Sequence, residues 1–122
     1  MPRTATIFIL AIAFAFGADI TGKWTGNWES KRDEQRRTGV NRFVFKQNGE
    51  LLTGNTYSKD GDPVTLKNGR ITSKSIQFEL PDGDVLVKVT LNVQGERLIG
   101  EAVRERDGKQ QVMTFVLERD KQ

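Results

Sequence analysis

The chain has 122 residues, with 19 Lys and Arg against 16 Asp and Glu, no Cys and no His, for a formal charge of +3. That length suits one domain. Without Cys there is no disulfide, thiolate nucleophile or zinc–sulfur site, and without His the commonest general base and metal ligand are missing, so the composition tilts away from an enzyme.

The first element in the chain is a targeting segment. Arg3 supplies a short positive region, and Ala5–Phe16 runs on without a charge and with only Thr6 polar. Ala15-Phe16-Gly17 then puts small residues at the positions a signal peptidase reads. Residues 1–17 are read as a secretory signal peptide and residues 18–122 as one domain, secreted or periplasmic. The apolar run rises only about 18 Å as a helix, short of a bilayer core of about 30 Å, so no membrane span is expected after cleavage. No Cys follows the run to carry a lipid anchor. A small, polar, disulfide-free domain in an oxidising compartment needs another source of stability, and closing a sheet on itself is one.

After the signal the apolar residues repeat with period two, and no stretch sustains a 3.6-residue period. Phe43 and Phe45 alternate with Arg42, Val44 and Lys46; Ile76, Phe78 and Leu80 with Gln77 and Glu79; Val85, Val87, Val89, Leu91 and Val93 with Leu86, Lys88, Thr90 and Asn92; Met113, Phe115 and Leu117 with Thr114, Val116 and Glu118. Asn48-Gly49, Asp60-Gly61-Asp62-Pro63, Pro81-Asp82-Gly83-Asp84, Gln94-Gly95 and Asp107-Gly108 punctuate the alternation with turn chemistry. The pattern predicts eight strands, at about 21–29, 40–47, 50–58, 63–71, 75–80, 84–93, 97–105 and 110–118. In the fourth the apolar phase slips between Leu66 and Ile71, which fits a bulge at Asn68-Gly69. Short connections favour antiparallel neighbours. The expected fold is all-β: an antiparallel eight-stranded up-and-down meander barrel with strand one closed on strand eight, with a β-sandwich as the alternative.

Gly49-Glu50-Leu51-Leu52-Thr53-Gly54 echoes Gly95-Glu96-Arg97-Leu98-Ile99-Gly100, and Trp24-Thr25-Gly26 repeats the apolar-x-Gly step. A glycine inside a strand weakens it unless the space is needed, so the echo reads as an architectural device for barrel bending and tight packing.

The opening strand Ile20-Thr21-Gly22-Lys23-Trp24-Thr25 resembles that of calycin barrels, the lipocalin and avidin group, which begin with Gly-x-Trp. Thr21-Gly22-Lys23-Trp24-Thr25 and Leu52-Thr53-Gly54-Asn55-Thr56-Tyr57 are similar to avidin strands. Gly22-Lys23-Trp24-Thr25-Gly26, Phe43-Val44-Phe45-Lys46-Gln47-Asn48-Gly49 and Leu52-Thr53-Gly54 also resemble a group of small secreted bacterial domains. The resemblance implies a calycin-like barrel whose floor is closed by Trp24, with Gly26 beside it. Of avidin's biotin contacts only Ser30 and Tyr57 have counterparts: Gly26 stands where the family has Asn, and the later Trp residues are absent.

Trp24, Gly26 and Trp28 share one phase of strand one. Trp28, Ser30, Tyr57, Phe43 and Phe45 are the candidate ligand-binding residues, with Trp28, Ser30 and Tyr57 at the barrel mouth beside the charged 31–38 loop. An aromatic at a barrel mouth can stack on an apolar or sugar-like ligand. The loop Lys31-Arg32-Asp33-Glu34-Gln35-Arg36-Arg37 carries four bases and two acids, suited to an anionic ligand, lipid headgroup or polysaccharide. The expected function is a secreted, non-catalytic binding protein that holds a small apolar or amphipathic ligand in a lipocalin-like barrel. The alternative is a filled barrel acting as a structural or protein/carbohydrate interaction module of the cell envelope. The partner is thus a small hydrophobic ligand or a glycan. Nucleic acid is not expected, because no aromatic-plus-basic strand motif is present and the signal directs the product elsewhere. No catalytic residue, metal site or cofactor is expected: the acidic turns lack further calcium ligands, and no base pairs with a Ser or Thr. The sequence leaves the oligomeric state open.

Overall fold

A computed structural model describes residues 19–32, 35–57 and 61–120. The signal-peptide reading of residues 1–17 lies outside the described residues, as do residues 33–34 of the expected charged loop and Asp60 of the expected Asp60-Gly61 turn.

The chain forms nine strands in order: β1 (Gly22–Arg32), β2 (Gln35–Asn48), β3 (Leu51–Tyr57), β4 (Pro63–Thr65), β5 (Lys67–Thr72), β6 (Ser75–Asp82), β7 (Val85–Gln94), β8 (Arg97–Arg106) and β9 (Lys109–Arg119). No helix occurs among the described residues. Every pairing is antiparallel, β1 pairs with both β2 and β9, and β2 with β3, so the sheet closes. The result is a closed eight-stranded up-and-down barrel. β4 and β5 share one stave: β4 pairs with the upper half of β3, at Asn55–Tyr57, and β5 with its lower end, at Leu51 and Leu52. The register slips between Lys67 and Arg70, and Asn68 takes a positive φ of 53°. This is the bulge that the apolar phase slip predicts. It lets Leu66 and Ile71 both face the core.

Alternation sorts the strands into an inner apolar face and an outer polar one. Trp24, Phe43, Phe45, Leu52, Phe78, Leu91, Phe115 and Leu117 are all buried on the inside. Four rings occupy the midsection. Phe43 stacks on Phe45 with centroids 5.5 Å apart and meets Phe78 and Phe115 edge-on at 6.2 and 6.0 Å. An eight-stranded barrel is just wide enough for side chains to fill, and here phenylalanines fill it. The glycines of the internal echo serve this geometry. A Cβ on Gly54 would collide with the Val44 carbonyl oxygen, and one on Gly100 with that of Thr90, so neighbouring strands approach where only hydrogen fits.

Two strands differ from expectation. β1 and β2 run on through the 31–38 region and pair as far as Arg32 with Gln35, so the expected loop is an antiparallel arm. The arm is exposed along β2 from Gln35 to Thr38, and its alternation is polar against polar, which gives no apolar period to read. β6 continues to Asp82 through Pro81. β5 pairs with β6 no higher than Glu79, so the missing N–H of Pro81 faces an edge without a ladder.

Candidate functional site

The barrel has a floor and a mouth. At the floor, residues 19–21 fold beneath the first turn of the sheet. The Ile20 amide donates to Gln47 Oε1 at 3.0 Å, the Gln47 amide donates to Thr21 Oγ1 at 3.0 Å, and Trp24 Nε1 donates to the Ile20 carbonyl at 2.9 Å. Arg119 lies directly opposite Trp24 on β9 and places its guanidinium 4.5 Å from the indole centroid. Its two terminal nitrogens donate to the carbonyls of Thr21 and Asp19 at 2.7 and 3.0 Å. The Thr21 amide donates to Asp19, and this bond, with the Thr21 hydroxyl and the nearby Arg119 charge, holds the Asp19 carboxyl below the usual carboxylate range. Trp24 is thus a floor residue, and Gly26 gives room to the Phe43 ring and Leu117 above it.

The mouth is at the opposite end, where the β6–β7 and β8–β9 turns lie. Above the phenylalanine rings the inward phase changes character. Trp28 is opposite both Gly39 and Phe115, and Ser30 is opposite Met113. A Cβ on Gly39 would strike the Trp28 ring, which therefore lies across β2 at the glycine. Trp28 is half-buried and packs on the core from above. Ser30 is 3% exposed, one of two buried polar residues among those described, the other being Thr56.

Arg104 lies one inward position beyond the Ser30–Met113–Ala102 row. It follows Gly100 and Ala102 on the inward phase of β8 and lies opposite Gln111. Its Nε is 3.3 Å from Asp82 Oδ2, on the inward phase of β6, so the two charges face each other at the mouth. The Nε is buried and makes no hydrogen bond. An open recess beside it is lined by Lys31, Arg106, Lys109 and Gln111. The mouth end thus carries Trp28 and Met113 on the core and, beyond them, a recess of mixed charge in which Lys31, Arg104, Arg106 and Lys109 outnumber Asp107.

The remaining candidate residues fall elsewhere. Phe43 and Phe45 are each 1% exposed, part of the filling of the barrel rather than of an accessible surface. Tyr57 lies opposite Arg42, which shares its row with Thr25. Both neighbours of that row, Phe43 and Thr56, face inward, so Tyr57 faces out and does not join Trp28 and Ser30 at the mouth. Sequence parity carried this signal: Leu52 and Tyr57 are an odd number of residues apart and cannot share a face. The same rule, extended from Leu98 and Ala102, finds Arg104.

No protein-family model matches the chain, and no curated protein matches it. Among solved structures it is similar to the crystal structure of Rv2717c from M. tuberculosis, with 16% sequence identity, coverage of 93% of this chain and 97% of that one, and a TM-score of 0.54. At that identity the likeness is one of fold: a barrel compatible with a binding module.

Proposed function

We propose that this protein is a secreted or periplasmic, non-catalytic binding protein of calycin type that holds a small amphipathic molecule at the barrel mouth. The observation that carries this reading is the inward layer above the phenylalanines, where a half-buried Trp28 and Met113 stand beside an Arg104 whose buried Nε has no hydrogen bond. The Nε meets Asp82 Oδ2 only as an ion pair at 3.3 Å, so an anionic group on a ligand competes with Asp82 for this donor. The Phe43, Phe45, Phe78 and Phe115 rings limit how far an apolar tail can enter, so the ligand is short and keeps its polar end at the rim. The Gly22-x-Trp24 floor supports the calycin assignment.

Calorimetric titration with decanoate tests the reading. Saturable binding is expected, weakened about tenfold or more by Trp28→Ala and by Arg104→Met. Absence of saturable heat, or an affinity unmoved by both changes, overturns it. A filled-barrel interaction module is the second reading, favoured by the four rings in the midsection, and it would stand if the mouth bound nothing.

A further inference from the structure

The β1–β2 arm leaves one edge of the sheet unpaired. β2 pairs with β1 from Gln35 to Phe45, but with β3 only from Arg42 to Asn48. Among the described residues nothing pairs with the other side of Gln35–Asn41. The ladder phase fixes which groups this leaves. The Asp120 amide donates to the Lys23 carbonyl at 2.8 Å, so odd-numbered residues of β1 hydrogen-bond to β9 and even-numbered ones to β2. Their partners on β2 include Arg37 and Gly39, so Arg36, Thr38 and Val40 turn their N–H and C=O groups to the open edge. The bond from the Leu66 amide to the Gly54 carbonyl gives the same phase from the β3 side.

An open edge is a template for a further strand, with main-chain bonds for affinity and side chains for selectivity. An open groove along it is lined by Thr38, Gly39, Val40, Arg42, Tyr57 and Gly61. We propose that the Gln35–Asn41 edge of β2 binds an extended acidic segment of a partner protein as an added antiparallel strand. The edge adjoins the mouth, because Trp28 lies across the inner side of Gly39.

Charge selects the occupant. β2 carries Arg36, Arg37, Arg42 and Lys46 and no acid. Arg36, Thr38, Val40 and Arg42 share the outward phase, opposite to that of the buried Phe43 and Phe45. Glu29 holds Arg36 at 2.8 Å, but both side chains are exposed, so an incoming carboxylate exchanges with Glu29 at little cost. A second copy of the chain fits badly. Two β2 edges laid together bring the arginines of one copy alongside those of the other, and like charges across a ladder destabilise it. The arginines that keep copies apart thus admit a strand whose outward residues are Asp or Glu.

Calorimetric titration of the full chain tests this with acetyl-Glu-Thr-Glu-Thr-Glu-Thr-Glu amide, with its Lys-for-Glu counterpart, and with two N-methylated forms of the acidic peptide. In the antiparallel ladder the Glu residues lie opposite Arg36, Thr38 and Val40 and exchange hydrogen bonds with them, while the Thr amides face away. Saturable binding of the acidic peptide is expected, kept when the Thr amides are methylated, lost when the Glu amides are, and absent for the lysine peptide. Thr38→Pro removes an edge donor without touching the bonds to β1 and should weaken binding about tenfold or more, as should Arg36→Gln. Lys88→Gln, the same change of charge on exposed β7, should leave it unchanged. Thermal melts confirm that each variant is folded, and the peptide series needs none. Absence of saturable binding overturns the proposal. So does the same affinity for both methylated forms, which reduces the contact to net charge. A dimer of the chain alone that Thr38→Pro dissociates also overturns it, by putting a second copy on the edge.

Discussion

Each end of the barrel carries one inward tryptophan and one inward arginine, and the two pairs are used in opposite ways. At the floor, Trp24 is 3% exposed, its indole N–H is bonded to a carbonyl, and Arg119 lies across it with two hydrogen bonds of its own. At the mouth, Trp28 is half-buried on a glycine, and the Arg104 Nε is buried without a hydrogen bond. The same residue types therefore build a finished end and an unfinished one. What separates them is how fully the polar atoms are hydrogen-bonded, since Arg104 keeps only its 3.3 Å ion pair with Asp82.

This contrast breaks first at the tryptophans. Trp24→Ala should cost about 3–5 kcal/mol, the range for removing a large buried aromatic, whereas Trp28→Ala should cost about 1 kcal/mol or less. Equilibrium unfolding in urea reads both. Equal losses would make the mouth part of the core and remove the distinction. The arginines should follow the same order with smaller effects. Arg119→Met removes two hydrogen bonds and a cation–π contact and should lower stability by about 1–2 kcal/mol. Arg104→Met gives up only a partly exposed ion pair and should stay within about 0.5 kcal/mol in the same unfolding measurement.

The smallest effect concerns Asp19. Its carboxyl is held below the usual range in the folded chain, first by the Thr21 amide, then by the Thr21 hydroxyl and Arg119. A lowered folded value means that the ionised form supports the fold at neutral pH, and that the support fades as pH falls through the carboxylate range. Asp19→Asn should therefore be slightly less stable than the parent at neutral pH, with the gap closing below about pH 4. Urea titrations at several pH values would show it, and a gap independent of pH would assign the effect to hydrogen-bond geometry alone.

Much of this contrast could be read in the sequence, though unevenly. The floor was legible because Gly22-x-Trp24 is a recurring opening and because Phe43, Phe45, Phe78 and Phe115 sit on an apolar period of two. Turn chemistry marked the strand ends, and the Leu66–Ile71 phase slip located the bulge. The mouth was less legible. Residues 31–38 pair as an arm although both their faces are polar, since the hydrogen bonds come from β1 and β2 and not from a buried face. Trp28 and Ser30 were identifiable by continuing the phase of Trp24. Arg104 and Asp82 read in the sequence only as charges at turns, and Arg119 not at all, because a charge at a strand end ordinarily faces water, and only the closure of the barrel turns these positions inward.

That closure also determines when the fold can exist. Arg119 reaches back across 98 positions to the Thr21 carbonyl, and β9 must be in place before β1 has a second neighbour. Every other pairing joins near neighbours in the chain, so loop-closure entropy on that scale is spent at one step, the pairing of β1 with β9. Until its last strand is synthesised, β1 has only β2 to pair with in the sheet. The strand made first thus waits for the strand made last before the barrel can close.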